Sequence, residues 1–176
     1  TKEIEDALLR GDIDVAVHSM KDLPTQSPEG LVITAVSYRE NPADWLVVRK
    51  EEAVADATLK LKENAVVGTS SARRKAQLLH FRPDIQLKDI RGNVPTRLNK
   101  LREGQFDGIV LAAAGLSRLE MDLSAFEVIK FSPKEFIPAP AQGVLAWQTN
   151  AKDIATRRIF KQLHQQNTSV ATNMER

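Results

Sequence analysis

Two successive strand–loop–helix units within residues 66–102 constrain the fold of this chain more than any other feature. In the first, a short apolar strand ends at Gly68, which permits a sharp turn before a helix. In the second, an alternating strand over residues 85–90 leads through Gly92 to another helix start. Such repeats predict an α/β fold with parallel strands, whose loops converge at the carboxyl edge of the sheet.

The same stretch concentrates positive charge. It contains nine Lys or Arg and two Asp, a formal charge of +7, whereas the whole chain carries +2. Arg73 and Arg74 fall in the first turn of the first predicted helix, where the helix dipole already favours anions. Two cations there favour an anionic ligand, and a solvated basic face remains the open alternative.

The second unit repeats this arrangement. Arg91 lies on the loop after the strand, and Arg97 lies early in the next helix, which Asn93 is predicted to cap. Arginine binds carboxylates through its planar fork, and Thr69 and Ser71 add hydroxyl groups at the first helix start. We therefore predict a crevice that binds a ligand with several carboxylates or phosphates.

Composition excludes several classes of function. The chain has no cysteine, so it contains no disulfide, thiolate nucleophile or cysteine-ligated metal, and its three histidines show no ligand spacing. No apolar stretch is nearly as long as the roughly 18 residues that a membrane-spanning helix needs. Only 5% of residues are aromatic, which argues against nucleic-acid binding through the basic stretch. We expect no metal, no nucleic acid and no membrane among the partners.

A second apolar stretch precedes another group of charged residues. Residues 13–17 (IDVAV) form an apolar run interrupted only by Asp14, which predicts a parallel strand buried on both faces, and Lys21 and Asp22 follow it. The segment LLRGDIDVAVHS resembles LREGQFDGIVLAA at an offset of 93 residues, which suggests two similar lobes. Residues 31–36 are predicted to form a further strand.

Breaks near Pro42 and Pro138 predict two crossover segments between these lobes. The predicted division is 1–37 plus 144–165 for lobe 1, 42–137 for lobe 2, and 166–176 for the start of a further C-terminal domain. Both ends look cut, so we expect a fragment of a longer protein, with lobe 1 lacking its N-terminal segment. An exposed sheet edge left by that cut favours self-association.

Five motifs, in order along the chain, resemble the porphobilinogen deaminase (hydroxymethylbilane synthase) family. They are VHSMKDLPT, VGTSSARRKAQL, RGNVPTRLNKL, DGIVLAAAGLSRL and PAPAQGVLAWQ. The resemblance implies a transferase that joins four porphobilinogen molecules into hydroxymethylbilane with release of ammonia, in the cytoplasm and as a monomer when full-length. It implies two lobes like those of type II periplasmic binding proteins, with the active cleft between them. It also implies a dipyrromethane cofactor, whose attachment cysteine, in a third domain, is absent from this chain.

The resemblance assigns roles to particular residues. Asp22 matches the catalytic aspartate, which binds the pyrrole N–H and stabilises the cationic azafulvene formed as ammonia leaves. The positions that match cofactor contacts are Ser19, Lys21, Thr69, Ser71, Arg73 and Arg74. The positions that match contacts to substrate and growing chain are Arg91, Arg97 and Arg118, with Gln142 at the crossover.

Departures from the family pattern cluster near the predicted crossovers. Asn41 and Ala43 replace an acid and an arginine, Ala141 replaces a glycine, and Trp147 with Gln148 replaces a smaller apolar residue and a glutamate. These changes bear on domain motion rather than on chemistry. The alternative function is a non-catalytic two-lobe module that binds small polycarboxylates. Asp22 distinguishes the two, because an anion binder gains nothing from a carboxylate in its cleft.

Overall fold

A computed structural model describes residues 2–176, which form two compact units. Unit 1 is made of the described residues up to Asn41 together with Ala139–Arg176, and unit 2 is Pro42–Pro138. The helices are α1 (Lys2–Arg10), α2 (Ala72–Phe81), α3 (Val94–Arg102), α4 (Ala113–Arg118), α5 (Ile154–Lys161) and α6 (Gln166–Glu175). The strands are β1 (Val15–Ser19), β2 (Leu31–Val36), β3 (Asp44–Arg49), β4 (Val66–Gly68), β5 (Gln86–Lys88), β6 (Gly108–Ala112), β7 (Phe126–Lys130) and β8 (Leu145–Asn150).

The sheet of unit 1 has three strands in the order β1-β8-β2, and β8 is antiparallel to both neighbours. The prediction of a parallel strand buried on both faces at residues 13–17 is therefore wrong. The strand begins at Val15, and its side chains alternate in burial, with Val17 55% exposed. An antiparallel strand can cover a core with one face only, so an apolar run did not require two buried faces.

The sheet of unit 2 has the order β5-β4-β6-β3-β7 and confirms the predicted α/β arrangement. Strand β4 pairs in parallel with β5 and β6, and helices α2 and α3 connect these three strands. The loops after Gly68, Lys88 and Ala112 consequently leave the sheet at one edge. Strand β3 runs the other way, and its first residue, Asp44, pairs with Ala112, so β3 begins at that same edge.

Two apolar clusters cover the two faces of this sheet. Leu46 and Val48 belong to one cluster and Val47 to the other, and all three are fully buried. Consecutive residues of a strand point to opposite faces, so β3 is central to both clusters. Packing on both faces stabilises the edge of the sheet at which the loops after Gly68, Lys88 and Ala112 leave it.

Segments 39–41 and 139–143 of unit 1 lie side by side. The Glu40 N–H donates to the Gly143 carbonyl at 2.9 Å, and Arg39 Nε donates to the Gln142 carbonyl at 3.0 Å. Ala141 and Gly143 both have positive φ, at 59° and 89°.

Residues 166–176 form α6 and its terminus within unit 1. The expectation that this segment opens a further domain stays a prediction. Here Thr172 is fully buried and α6 packs as part of unit 1.

Candidate functional site

The residues predicted for the site divide between the two units. Unit 2 carries Thr69, Ser71, Arg73, Arg74, Arg91, Arg97 and Arg118, and unit 1 carries Ser19, Lys21, Asp22 and Gln142.

The start of α2 is built from hydroxyl groups, as its sequence predicted. Ser71 is the N-cap, and its Oγ accepts from the Arg74 N–H at 3.4 Å. Buried Thr69 accepts from the Ser71 N–H through Oγ1 at 3.3 Å. Ser70 Oγ donates to the Ile90 carbonyl at 2.9 Å and accepts the Ile90 N–H at 3.0 Å, which joins this loop to the next. Because Thr69 and Ser71 act as acceptors here, their own hydroxyl protons can be donated to an anion.

A buried carboxylate that sequence reasoning missed holds both α2 arginines. Asp44 is fully buried, and its Oδ1 accepts from Arg74 Nη2 at 2.6 Å and from Arg74 Nε at 3.2 Å. Its Oδ2 accepts from Arg73 Nη2 at 2.8 Å. Arg74 also donates to the Val110 carbonyl at 3.0 Å, and its side chain is only 8% exposed, against 25% for Arg73. The geometry gives Arg74 a mainly structural position and leaves Arg73 the more accessible of the two.

A third arginine adds to the positive charge of this cluster. Arg97 is half-buried, and its Nε donates to the Gly92 carbonyl at 2.7 Å. Burial lowers the pKa of the Arg97 guanidinium, and the positive charge of Arg74 lowers it further. Arg73 and Arg74 pair with Asp44, and Arg97 lies close enough to Arg74 for their charges to repel, so an anionic ligand would stabilise this group of guanidinium groups.

Arg91 and Arg118 follow the other two strands of this edge. Arg91 is exposed on the loop after β5, where its carbonyl accepts from Lys100 Nζ at 3.0 Å. The next helix has the predicted N-cap, because the Asn93 side chain accepts from the Thr96 N–H at 3.0 Å. Arg118 is half-buried at the end of α4. Every loop of the carboxyl edge of β4, β5 and β6 therefore leads to at least one predicted arginine.

In unit 1, β1 ends at the exposed Ser19, and a 3-10 turn, Met20–Asp22, follows it directly. Met20 and Leu23 are buried, and the Met20 N–H donates to the Val144 carbonyl at 2.9 Å. Lys21 and the exposed Asp22 therefore lie between two anchored residues.

Gln142 links this turn to the neighbouring segments. Its side chain is buried, and its Oε1 accepts from Lys21 Nζ at 3.2 Å. Its carbonyl accepts from Arg39, whose guanidinium pairs with Glu175 of α6. A direct contact between Gln142 and substrate stays a prediction, as do the roles of the other predicted site residues.

Two further features of unit 1 had no signal in the sequence. Arg176, after α6, donates to the carbonyls of Met20, Leu23 and Pro24. Hydrogen bonding to Arg39 lowers the pKa of Glu175, which also accepts the Ala141 N–H at 2.8 Å. Most of these contacts join residues more than 100 positions apart, so local pattern could not reveal them.

Among residues 2–176, no group of three or more His, Asp or Glu side chains is placed to hold a metal ion. No helix in the same range is both long and apolar enough to cross a membrane.

Comparison with known sequences identifies the family. A family profile described as "Porphobilinogen deaminase, dipyromethane cofactor binding domain" matches residues 1–158. The chain belongs to the porphobilinogen deaminase family. It is 48% identical over 176 residues to the porphobilinogen deaminase of a Nitratiruptor species, covering 100% of this chain and 54% of that protein. It is 48% identical over 163 residues to that of Thermus thermophilus, covering 93% and 52%. The chain thus spans about half the length of these porphobilinogen deaminases.

Comparison with solved structures shows the fold. A periplasmic binding protein from Brucella ovis with glutathione bound matches with a TM-score of 0.57 and 14% identity, over 93% of this chain and 50% of that one. The periplasmic VFT2 domain of Bordetella pertussis BvgS matches with a TM-score of 0.52 and 16% identity, over 99% and 72%. The chain has the α/β fold of type II periplasmic binding proteins, as the family resemblance implied.

Proposed function

We propose that the full-length protein is a transferase of tetrapyrrole biosynthesis. It joins four porphobilinogen molecules into hydroxymethylbilane and releases ammonia. The observation that carries the proposal is the cluster of Arg73, Arg74 and Arg97, of which the first two pair with Asp44, in a chain of this family. Each pyrrole carries two carboxylates, so a growing polypyrrole supplies anions that these guanidinium groups can bind.

The residues of unit 2 fit a dipyrromethane cofactor. Arg73 is partly exposed, and the hydroxyl groups of Thr69 and Ser71 can donate to the carboxylates that it binds. When bound, the cofactor supplies the primer on which the chain of pyrroles is built. Arg91, Arg97 and Arg118 then bind the carboxylates of substrate and growing chain, while Arg74 holds Arg73 and the start of α2 in place through Asp44.

In the proposed reaction, the carboxylate of Asp22 stabilises the positive charge that develops on the substrate. As ammonia leaves porphobilinogen, positive charge spreads into the pyrrole ring. A carboxylate that accepts the ring N–H stabilises that charge more strongly than it stabilises the neutral substrate. Lys21, which Gln142 fixes, lies beside Asp22 in this turn, and Ser19 comes directly before the turn. Both contact the cofactor in the proposed arrangement.

The alternative function is a two-lobe module that binds polycarboxylates without reacting. The fold alone is compatible with it, since solute-binding proteins share it. Asp22 favours the enzyme, because a negative charge on an exposed turn opposes anion binding. We further propose that the enzyme is cytoplasmic and monomeric at full length. Its substrate is porphobilinogen, and it binds no nucleic acid.

Replacing Asp22 with Asn in the full-length protein separates the two functions. We expect binding of porphobilinogen to be retained and turnover to fall by about 10²–10⁴-fold, the range for a positioned catalytic group. Ammonia release measures turnover, and calorimetry measures binding. Asp12→Asn is the matched control, because Asp12 pairs with Arg10 at the surface. Turnover of Asp22→Asn equal to that of the control would remove Asp22 from the mechanism.

A further inference from the structure

The turn that carries Asp22 is held in place from outside its own segment. Within the turn, the Leu23 N–H donates to the Met20 carbonyl at 3.3 Å, a long bond for its type. We propose that Arg176 is a positioning residue for Asp22 and fixes this turn through the carbonyl groups of Met20 and of the two residues after the turn. The inference rests on the proposed function of Asp22.

Three carbonyl groups converge on the Arg176 guanidinium. Nη1 donates to the Met20 carbonyl at 2.5 Å, and Nη2 donates to those of Leu23 and Pro24 at 3.1 and 2.5 Å. The bonds begin at the first residue of the turn and continue to the second residue beyond Asp22. A planar fork with five donors can serve three acceptors at once, whereas a lysine ammonium on a flexible stem orders them less well.

The helix that presents Arg176 is anchored at both ends, so the guanidinium has a fixed base. At its start, the Gln165 N–H donates to the Val36 carbonyl at 3.0 Å, at the end of β2. Near its end, Thr172 is fully buried, and Glu175 binds Arg39 and the Ala141 N–H. Helix α6 therefore fixes the Arg176 guanidinium, and with it the Met20–Asp22 turn, relative to the sheet of unit 1.

The physical consequence concerns the transition state more than binding. Without Arg176, the three carbonyls turn to water and residues 21–24 gain freedom, so the carboxylate of Asp22 samples more positions. Misplacement of a catalytic group by about 1 Å can cost about 10²-fold in rate. The binding of substrate carboxylates by the arginines of unit 2 does not depend on this turn. We expect kcat to fall by about 10–100-fold on loss of the Arg176 side chain, with KM little changed.

A double-mutant cycle in the full-length protein tests the inference. The variants are Arg176→Ala, Asp22→Asn and the pair together, assayed for kcat and KM with porphobilinogen. If Arg176 acts through Asp22, then Arg176→Ala lowers kcat in the wild-type background and has little further effect in the Asp22→Asn background. Arg176→Lys should restore part of the activity. Arg158→Ala, an exposed arginine of neighbouring α5, is the control and should behave as wild type.

Hydrogen exchange provides a readout independent of activity. Arg176→Ala should speed exchange at the amides of residues 21–23 and leave those of the central strand β8 unchanged. If Arg176→Ala does not fold, the cycle is run with Arg176→Lys, which must then show a smaller loss with the same dependence on Asp22.

The outcomes separate the two proposals. An equal loss of kcat in both backgrounds, or an unchanged kcat in Arg176→Ala, would overturn the positioning role. Normal turnover in Asp22→Asn would instead overturn the proposed function of Asp22, whatever Arg176→Ala does.

Discussion

At the scale of single residues, Asp44 organises the basic cluster of unit 2. It is fully buried and accepts hydrogen bonds from Arg73 and Arg74, two neighbouring cations at a helix start. Their mutual repulsion and the helix dipole both oppose this arrangement. The buried carboxylate offsets that cost and fixes the Arg73 guanidinium at the start of α2.

We predict that Asp44→Asn destabilises the 176-residue chain by about 3 kcal/mol or more, because it leaves the buried Arg74 without its counter-charge. Urea unfolding followed by circular dichroism measures the change. Asp89→Asn is the control, since Asp89 pairs with Lys75 on the exposed surface and should matter little. Equal stability of the two variants would contradict a structural role for Asp44.

Sequence reasoning found the arginines of this cluster but not their carboxylate. Arg73, Arg74, Arg91 and Arg97 stand beside glycines and helix caps that mark strand-to-helix loops. Asp44 lies 29 residues before Arg73 and simply precedes an apolar run. Only the antiparallel pairing of β3 with β6 brings it to the same edge, and that pairing has no local signature.

At the scale of elements, the two adjacent segments of unit 1 depend on a glycine. Gly143 has φ +89°, and a Cβ there would lie 2.3 Å from the Glu40 carbonyl oxygen. Gly11, at the end of α1, has a similar φ of +78° but open space around it. Substitutions at Gly143 and Gly11 therefore separate two free-energy costs, that of the left-handed backbone conformation and that of the close approach of the two segments.

Gly143→Ala should therefore destabilise the chain clearly more than Gly11→Ala. The second change carries only the left-handed backbone penalty of about 1–2 kcal/mol. The first adds a clash with backbone that has to shift, and it also disturbs the Glu40 N–H bond to Gly143. Thermal unfolding of both variants measures the difference. Similar losses would show that the two segments separate easily.

The attachment of α6 should depend on pH through Glu175. Hydrogen bonding to Arg39 lowers the pKa of Glu175 below its ordinary value. A carboxyl whose folded-state pKa is lowered contributes stability that is present above its unfolded pKa, about 4.3, and lost as the pH falls through the folded-state pKa.

Comparison of wild type with Glu175→Gln tests this dependence. Wild type should be the more stable from neutral pH down to about 5, and the difference should shrink as the pH falls below about 4. Because this pair is partly exposed, the effect is modest. Unfolding by urea across the pH range is the measurement, and a difference that stays constant down to about pH 3 would contradict the assignment to Glu175.

Elements with strong local signals and the parallel pairing of β4, β5 and β6 were predictable, and the antiparallel pairings were not. The strand at Leu31–Val36 and the caps of α2 and α3 follow from the sequence. Strand β1 was assigned the wrong partner type, because an apolar run is compatible with both parallel and antiparallel pairing. The bonds from Arg176 to the carbonyls of Met20, Leu23 and Pro24 were also unpredictable, because they depend on tertiary packing alone.

At the scale of the whole molecule, the chain has a family fold and basic cluster but no cysteine. A dipyrromethane held through a thioether requires a cysteine sulfur, and hydroxyl groups are far weaker nucleophiles at neutral pH. The 176-residue chain should therefore gain no covalent two-pyrrole mass on incubation with porphobilinogen. Intact-mass spectrometry checks this, and such an increment would contradict it.

The formation of porphyrin from porphobilinogen tests the proposed activity most directly. The full-length protein, its Asp22→Asn variant and the 176-residue chain are incubated with porphobilinogen, and uroporphyrin is measured by absorbance after oxidation. The account predicts sustained production by the full-length protein, about 10²–10⁴-fold less by Asp22→Asn, and none by the 176-residue chain. Binding of porphobilinogen by the full-length protein without any porphyrin would contradict it and favour a binding module.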